Sequence, residues 1–235
     1  MSSKNRGAES VESDWYATPL DATRLVMREL FGDCHVYRQL GKNFRVLEPT
    51  AGKGNIVEVI REFLPECHLT AIELDRGRYN LLAARGLCDV VACADFAQVA
   101  APPGGYDLCI QNPPFTIAKS IIERATEQSQ QTIALMRLGF LASIDRRPFW
   151  RRHPADILPL TKRPSFAASL NCIGTDKKKK KVKANGCGWA LIQELTAERA
   201  KVCPLCGGRV NVTTSDSADY IWAHFHGEAR PIRAL

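Results

Sequence analysis

Apolar residues in the first 140 positions fall into two kinds of segment. Short continuous runs bounded by glycine, proline or charge are typical of buried strands, and longer stretches with helical spacing are typical of amphipathic helices. The predicted strands are FRVLE, HLTAIELD, CDVVACADF, YDLCIQ and QTIALMRL, at residues 44–48, 68–75, 88–96, 106–111 and 131–138. The predicted helices span 19–31, 55–64, 77–86 and 116–128, with Asp21 as N-cap of the first and Gly86 ending the third.

Strands and helices that alternate in this way predict an α/β fold, with a parallel sheet covered by helices on both faces. The alternation stops after Arg137. Two further strands are predicted in DILPLTKRPSF (156–166) and SADYIWAHF (217–225), and a long basic segment with cysteines separates them. We therefore expect five parallel strands extended by a late antiparallel pair.

The predicted domain organisation follows from this change of pattern. Residues 1–13 are polar and predict a disordered tail. Residues 14–170 and 213–235 would form the α/β domain, and 171–212 a small insertion. A chain of 235 residues that is 45% hydrophobic is long enough for such a core.

Composition indicates the cellular location of the protein. The N-terminus has no apolar signal core, and no run of about 18 apolar residues occurs, so we expect no membrane contact. The nine cysteines are an odd number, and most stand singly in apolar segments. This favours a reducing, cytoplasmic location over a disulfide framework.

Charge is concentrated in one part of the chain. Residues 137–183 contain 13 Lys/Arg and 3 Asp/Glu, a balance of +10, whereas the whole chain carries +7 and the remainder therefore −3. A basic stretch on a slightly acidic protein predicts a polyanionic partner, and nucleic acid is the obvious class. A merely solvated surface is the alternative.

The turn LEPTAGKGN places Gly52 and Gly54 where the first strand passes into a helix. Glycine at this point lets a ligand approach the backbone closely. The turn lacks the Gly-Lys-Ser/Thr of a phosphate loop and the third glycine of a dinucleotide fingerprint. It therefore suits a nucleoside without a pyrophosphate.

Polar groups end the next three strands. Glu73 could accept both hydroxyls of a ribose, and Asp95 could accept an adenine amino group while Phe96 packs on the ring. For each acid, capping of the following helix is the alternative. The fourth strand ends on Asn112-Pro113-Pro114-Phe115, and prolines cannot donate to a sheet ladder. Such strand ends meet at one edge of a parallel sheet, where ligands bind.

In chain order, VLEPTAGKGN, AIELD, CADF and NPPF resemble the motifs of S-adenosylmethionine-dependent amino-methyltransferases that methylate adenine N6. DWYATP (14–19) resembles the additional motif that helps hold the methionine end of the cofactor. This order is similar to the gamma arrangement of DNA adenine methyltransferases, and closest to compact phage and prophage enzymes. The resemblance spans residues 14–170 and 216–226. Lys53 is a departure, because that position is often acidic or neutral in these families.

The resemblance implies a Rossmann-like class I methyltransferase that methylates adenine N6 in DNA after base flipping. Asn112 Oδ1 and the Pro113 carbonyl would accept the two amine N–H groups, Pro114 would stiffen the backbone and Phe115 would stack on the base. An RNA adenine methyltransferase, a protein glutamine methyltransferase and a catalytically silent DNA-binding protein are the alternatives. The implied cofactor-binding residues are Tyr16, Thr18, Pro19, Glu48, Pro49, Thr50, Ala51, Gly52, Gly54, Glu73, Leu74, Asp95, Phe96 and Asn112.

The insertion contains the metal knuckle Cys203-Pro-Leu-Cys206-Gly-Gly. With Cys172 and Cys187, the nearest remaining sulfurs, it predicts a structural four-cysteine zinc site. An alternative set combines Cys203 and Cys206 with His224 and His226, which share a strand face. The predicted DNA-binding residues are Lys162, Arg163, Phe166, Lys177, Lys178, Lys179, Lys180 and Lys181. For the lysine run, the alternative is a solvated loop without a DNA contact. For Phe166, the alternative is a position in the hydrophobic core.

Overall fold

The structure of the protein, a computed structural model, describes residues 17–32, 43–161, 164, 171–173, 209–211 and 218–226. The chain divides into two compact units. One consists of Met1–Arg163 and Ala218–Leu235, and the other of Pro164–Ser217. The predicted tail at residues 1–13 lies outside the described residues.

A seven-stranded sheet forms the centre of the first unit, in the order β3-β2-β1-β4-β5-β9-β6. In chain order the strands are β1 (Arg45–Glu48), β2 (His68–Glu73), β3 (Val90–Cys93), β4 (Tyr106–Gln111), β5 (Ser129–Arg137), β6 (Ala155–Pro159), β7 (Asn171–Ile173), β8 (Arg209–Asn211) and β9 (Tyr220–Phe225). Only β9 in this sheet runs antiparallel to its neighbours, β5 and β6. The predicted mostly parallel sheet with a late antiparallel strand is confirmed. In the second unit, β7 pairs antiparallel with β8.

The described residues form five α-helices. They are α1 (Leu20–Phe31), α2 (Asn55–Phe63), α3 (Arg76–Ala84), α4 (Ala118–Gln128) and α5 (Arg147–Arg152). Helix α5 was not predicted, because six residues are too few to establish a helical period. The predicted N-cap Asp21 is wrong: Pro19 caps α1, and Asp21 lies in the first turn, where its carboxylate accepts from Ala22 N at 3.0 Å.

The alternation of side chains along β9 explains why both faces of the sheet need helices. Ile221 and Ala223 belong to a core cluster with Ile122 of α4 and Phe149 of α5. The intervening Trp222 points to the opposite face, where its buried Nε1 donates to Ala22 O of α1 at 3.1 Å. Because both sides of β9 are apolar, neither side can face water. No helix among the described residues is long and apolar enough to cross a membrane.

Arg61 joins the end of α2 to the start of both neighbouring strands. Its Nε donates to Leu87 O at 2.5 Å and its Nη1 to Cys67 O at 2.7 Å. Its Nη2 lies 2.6 Å from Asp89 Oδ2, which also accepts from Leu69 N at 2.8 Å. The planar guanidinium of Arg61 therefore binds hydrogen-bond acceptors in two loops. These acceptors have no partner within a sheet ladder.

We expect Arg61→Lys to lower the free energy of unfolding by about 1–3 kcal/mol, because an ammonium cannot reach these divergent acceptors and leaves them partly unpaired. Arg24→Lys is the matched control: Arg24 makes an exposed ion pair with Glu62, and such pairs contribute about 0–1 kcal/mol. Urea denaturation followed by circular dichroism measures both. Equal losses in the two variants would contradict the role assigned to Arg61.

Candidate active site

The loops after β1 and β4 start side by side, because these strands are paired, with Leu47 opposite Cys109. Strand β1 leads through α2 to β2 on one side, and β4 leads through α4 to β5 on the other. Right-handed crossovers in opposite directions place α2 and α4 on opposite faces of the sheet. A crevice therefore opens between the two loops, at the point where doubly wound sheets bind ligands.

The glycine loop after β1 is held tightly against its neighbours. Ala51 N donates to Ile72 O at 2.9 Å, and Gly54 N donates to Ala51 O at 2.8 Å. Gly54 has a φ of 86°, and a Cβ there would lie 2.6 Å from Leu82 Cδ1 of α3. A residue with a side chain would be strained in its backbone and would also collide with α3.

Glu73, at the end of β2, accepts hydrogen bonds from three directions. Its Oε2 accepts from Gly52 N at 2.7 Å. Its Oε1 accepts from Asp75 N at 2.8 Å and from Arg78 Nε at 3.0 Å. Only 4% of this residue is exposed. The carboxylate therefore fixes the glycine loop, and its predicted contact with a ribose stays a prediction.

Asp75 and Leu74 follow Glu73 on the surface. Asp75 caps α3 by accepting from Arg78 N at 2.8 Å, and this backbone hydrogen bond lowers the pKa of the carboxyl. Leu74 is exposed. Both residues therefore flank the crevice without entering the core.

Glu48, the last residue of β1, is an almost completely buried carboxyl. Desolvation by burial raises its pKa well above the ordinary range, the Val57 N–H lowers it in part, and the charge of Glu73 raises it further. Its Oε2 has no hydrogen-bond partner among the described residues. A buried acceptor without a partner is costly, and a cationic ligand would relieve that cost.

Glu48 lies in the wall of a small pocket that opens between the predicted motifs. Its lining residues are Ala17, Thr18, Glu48, Thr50, Ala51, Lys53, Asn55, Ile56 and Asn112. The segment before α1, the glycine loop and the end of β4 therefore meet at one place.

Three hydrogen bonds hold these segments together. Asn112 Nδ2 donates to Thr18 Oγ1 at 3.0 Å, and Asn55 Nδ2 donates to Thr18 O at 3.0 Å. The Thr50 hydroxyl donates to Asn112 O at 3.3 Å. The bond to Thr18 anchors the Asn112 side chain to the segment that precedes α1. Pro113 is buried behind it, and Pro19 is the N-cap of α1.

Phe115 lies against two residues that the sequence did not single out. The guanidinium carbon of Arg137 is 4.3 Å from the centre of the Phe115 ring, and the Tyr220 ring is 5.9 Å away at an interplanar angle of 47°. Arg137 ends β5 and is paired with Tyr220 at the start of β9. Arg137 lies at the end of a predicted strand, and the NPPF segment follows the neighbouring strand. This position is the signal that could have identified Arg137 as a candidate site residue.

Asp95 and Phe96 lie at the end of β3. Asp95 is exposed and caps the short 3-10 helix Phe96–Gln98 by accepting from Ala97 N at 2.9 Å. Phe96 is 3% exposed and packs in the core, with the Arg124 guanidinium carbon 5.7 Å from its ring centre. The structure thus supplies a capping contact for Asp95, and the adenine contacts of both residues stay predictions.

Several predicted site residues lie outside the described residues. They are Tyr16, Lys162, Arg163, Phe166, Lys177, Lys178, Lys179, Lys180, Lys181, Cys187, Cys203 and Cys206. For Cys172 the structure describes the backbone, within β7. His224 and His226 are described, and they lie beside Asp156.

No protein-family model and no curated protein matches the chain. Among solved structures, a candidate RNA methyltransferase from Pyrococcus horikoshii superposes with a TM-score of 0.53 at 12% identity, over 90% of this chain and 86% of the other. A SAM-dependent O-methyltransferase from Thermotoga maritima gives a TM-score of 0.51 at 12% identity, over 90% and 67% of the two chains. The 23S rRNA methyltransferase ErmE gives 0.50 at 12% identity, over 93% and 72%. Together with the strand order, this likeness shows that the chain has the Rossmann-like class I methyltransferase fold.

Proposed function

We propose that the protein transfers a methyl group from S-adenosylmethionine to the N6 amino group of adenine in DNA. The observation that carries the proposal is the position of Asn112-Pro113-Pro114-Phe115, which begins at a pocket whose wall contains the buried carboxyl of Glu48. The resemblance of the motifs supports the same conclusion, and the fold of the solved relatives supports methyl transfer without bearing on the substrate.

The buried carboxyl of Glu48 in the pocket wall suits the charge of the cofactor. S-adenosylmethionine carries an α-ammonium group, and Glu48 Oε2 is a buried acceptor of the kind that such a cation would satisfy. Gly54 leaves no room for a side chain between the loop and Leu82, so the loop stays close to the strand ends. When bound, the cofactor supplies an electrophilic methyl group on a sulfonium. We assign its contacts to the predicted set from Tyr16 to Asn112, with Glu73 or Asp75 for the ribose.

Asn112 and Pro113 would prepare the target amine. An exocyclic adenine amine is a weak nucleophile because its lone pair is delocalised into the ring. When Asn112 Oδ1 and the Pro113 carbonyl each accept one N–H, the nitrogen becomes more tetrahedral and its lone pair localises. Thr18 anchors the Asn112 side chain through the hydrogen bond to Nδ2. The methylated amine can lose its proton after transfer, so no general base is required.

Phe115 would stack on a base that has left the duplex. Its contacts with Arg137 and Tyr220 hold the plane of the ring. Arg137 is also a cation at the mouth of the crevice, which suits a polyanionic substrate.

Residues 171–212 would add a structural zinc on Cys172, Cys187, Cys203 and Cys206. Lys162, Arg163 and Lys177 to Lys181 would contact the DNA phosphates, and Phe166 would line the base pocket.

Adenine in RNA is the second candidate substrate. The NPPF group recognises the base and not the sugar, and two of the solved relatives are described as RNA methyltransferases. At 12% identity these relatives bear on the fold and leave the substrate open. The motif order, similar to that of DNA adenine methyltransferases, favours DNA.

The proposal is tested by methyl transfer from labelled cofactor to DNA and to RNA of the same sequence, followed by digestion to nucleosides. We expect N6-methyladenine in the DNA. Label in RNA adenine alone would select the second candidate. Absence of label in the adenine of either polymer, with cofactor bound, would overturn the proposed function.

We expect Asn112→Ala to lower kcat by about 10²–10³, because a preorganised acceptor is lost where charge develops. Cofactor affinity should stay largely intact, because Asn112 is only one of the many residues assigned to the cofactor. Asn112→Asp keeps an acceptor oxygen and should retain more activity than the alanine variant. Asn80→Ala, at an exposed position of α3, is the matched control. Near-normal turnover by Asn112→Ala in single-turnover assays would contradict the assigned role.

Glu48 predicts a pH dependence of cofactor binding. The protonated carboxyl is favoured without ligand, because its pKa is raised, and the bound ammonium favours the carboxylate. Binding should therefore release a proton, and affinity should rise with pH between the ordinary glutamate pKa and the raised value. Glu48→Gln should bind about 1–3 kcal/mol more weakly and lose this pH dependence. Calorimetry in two buffers of different ionisation enthalpy measures the proton; equal pH profiles for both proteins would contradict the assignment.

The same shift affects stability in the absence of ligand. A raised pKa means that the folded state binds the proton more tightly than the unfolded state. The contribution of Glu48 is therefore complete at pH below the unfolded pKa, and it is lost as pH rises through the folded pKa. The glutamine variant provides the control, because it has no proton to lose.

A further inference from the structure

Asp156, His224 and His226 form a cluster of possible metal ligands on the sheet, away from the candidate active site. Each offers one ligand atom, and these atoms lie within 4.8 Å of one another. His224 is paired with Ile133, whereas Arg137 beside Phe115 is four residues further along β5. Four residues of strand span about 13 Å, so the cluster is separate from the NPPF crevice.

The sheet brings the three side chains together by register. Asp156 of β6 is the cross-strand partner of His224 of β9. His226 follows two residues after His224, and alternate residues of an extended chain point to the same side. The two imidazole ring centres are 4.7 Å apart. Because the pairing of β6 with β9 is formed by the fold, the ligands would be held in place before any ion binds.

Asp156 supplies an independent indication of a ligand. The residue is 6% exposed, and its Oδ1 has no hydrogen-bond partner among the described residues. Its other oxygen, Oδ2, lies 3.3 Å from His226 Nε2. A buried carboxylate oxygen without a partner is costly, and a bound cation would remove that cost.

One distance in the cluster matches that expected around a small first-row divalent ion. Zinc bonds of about 2.0–2.1 Å at tetrahedral angles put neighbouring ligand atoms about 3.3–3.4 Å apart. Asp156 Oδ2 and His226 Nε2 are 3.3 Å apart, in agreement with this distance. Two imidazoles with one carboxylate favour zinc or a similar transition ion over magnesium or calcium, which prefer oxygen ligands.

Gln131 adds a contact of the kind that orients metal ligands. Its Oε1 lies 2.9 Å from His224 Nε2, across from β5. Groups that hydrogen-bond a ligating imidazole fix its ring and its tautomer, and their loss typically weakens metal binding about 10–100-fold. The His224 ring is therefore held by a neighbouring strand as well as by its own.

We propose that Asp156, His224 and His226 bind a zinc ion, or a similar divalent transition-metal ion, with a water molecule as fourth ligand. The ion joins edge strand β6 to β9 and stabilises that edge of the sheet. The site is distinct from the four-cysteine site proposed for residues 171–212, and it does not depend on methyl transfer.

The test measures zinc binding to the full-length protein after removal of metal, by competition with a chromophoric chelator. Asp156→Asn preserves the shape of the side chain and should weaken binding at this site by more than about tenfold, since even outer groups contribute that much. His226→Gln should have the same effect. His153→Gln is the matched control, because His153 contacts Thr126 and lies outside the cluster. Zinc should raise the Tm of the wild type and of the control more than that of the first two variants, because any zinc held by cysteines is common to all four proteins.

Cobalt distinguishes this site from cysteine sites. The difference spectrum between wild type and Asp156→Asn, each loaded with Co²⁺, should contain visible bands of a nitrogen and oxygen site and no thiolate charge-transfer band. Circular dichroism checks that both variants fold, and His226→Gln replaces Asp156→Asn if that variant does not. Unchanged zinc affinity and Tm shift in the folded variants would overturn the proposal. A thiolate band in the difference spectrum would also overturn it, because cysteine would then be a ligand at this site.

Discussion

The carboxylate of Glu73 holds the candidate site in its present form. It binds the Gly52 N–H of one loop and the Asp75 N–H of the next, and Arg78 balances its charge. Three donors in a buried position make this charge affordable in a low-dielectric environment. Without it, the glycine loop would keep the hydrogen bond from Ala51 N to Ile72 O of β2, and Gly52 N would lose its acceptor.

Glu48 and Glu73 are two buried acids on adjacent strands that have different surroundings. Glu73 has a paired cation and backbone donors, whereas Glu48 has one backbone donor and an oxygen with no partner among the described residues. The charge of Glu73 makes ionisation of Glu48 harder still. The protein thus carries one acid that organises the glycine loop and one whose buried oxygen, in the proposed function, would accept from the ammonium group of the cofactor.

Two groups of polar side chains lie in different parts of the sheet. At the carboxyl ends of β1 and β4, glycine, proline and amide groups form an open crevice that suits a nucleoside and a base. Further along β9, His224 and Asp156 face each other across a strand pair at the edge of the sheet. A metal there would stabilise an edge strand that has hydrogen-bonding neighbours on one side only. This separation lets the edge be reinforced without disturbing the crevice.

The sequence by itself determined the order of strands and helices, the glycine loop and the motif set, because these depend on local periodicity and on residue types with narrow backbone preferences. Local patterns failed at Asp21, where Pro19 took the cap, and at α5, which is too short to show a period. Only the tertiary structure decided that β9 inserts between β5 and β6, since strand pairing depends on contacts far apart in sequence. That pairing sets Arg137 and Tyr220 against Phe115, and Asp156 opposite His224. The tertiary structure also decided which buried acids have hydrogen-bonding or ionic partners, because burial and partners exist only in the folded chain.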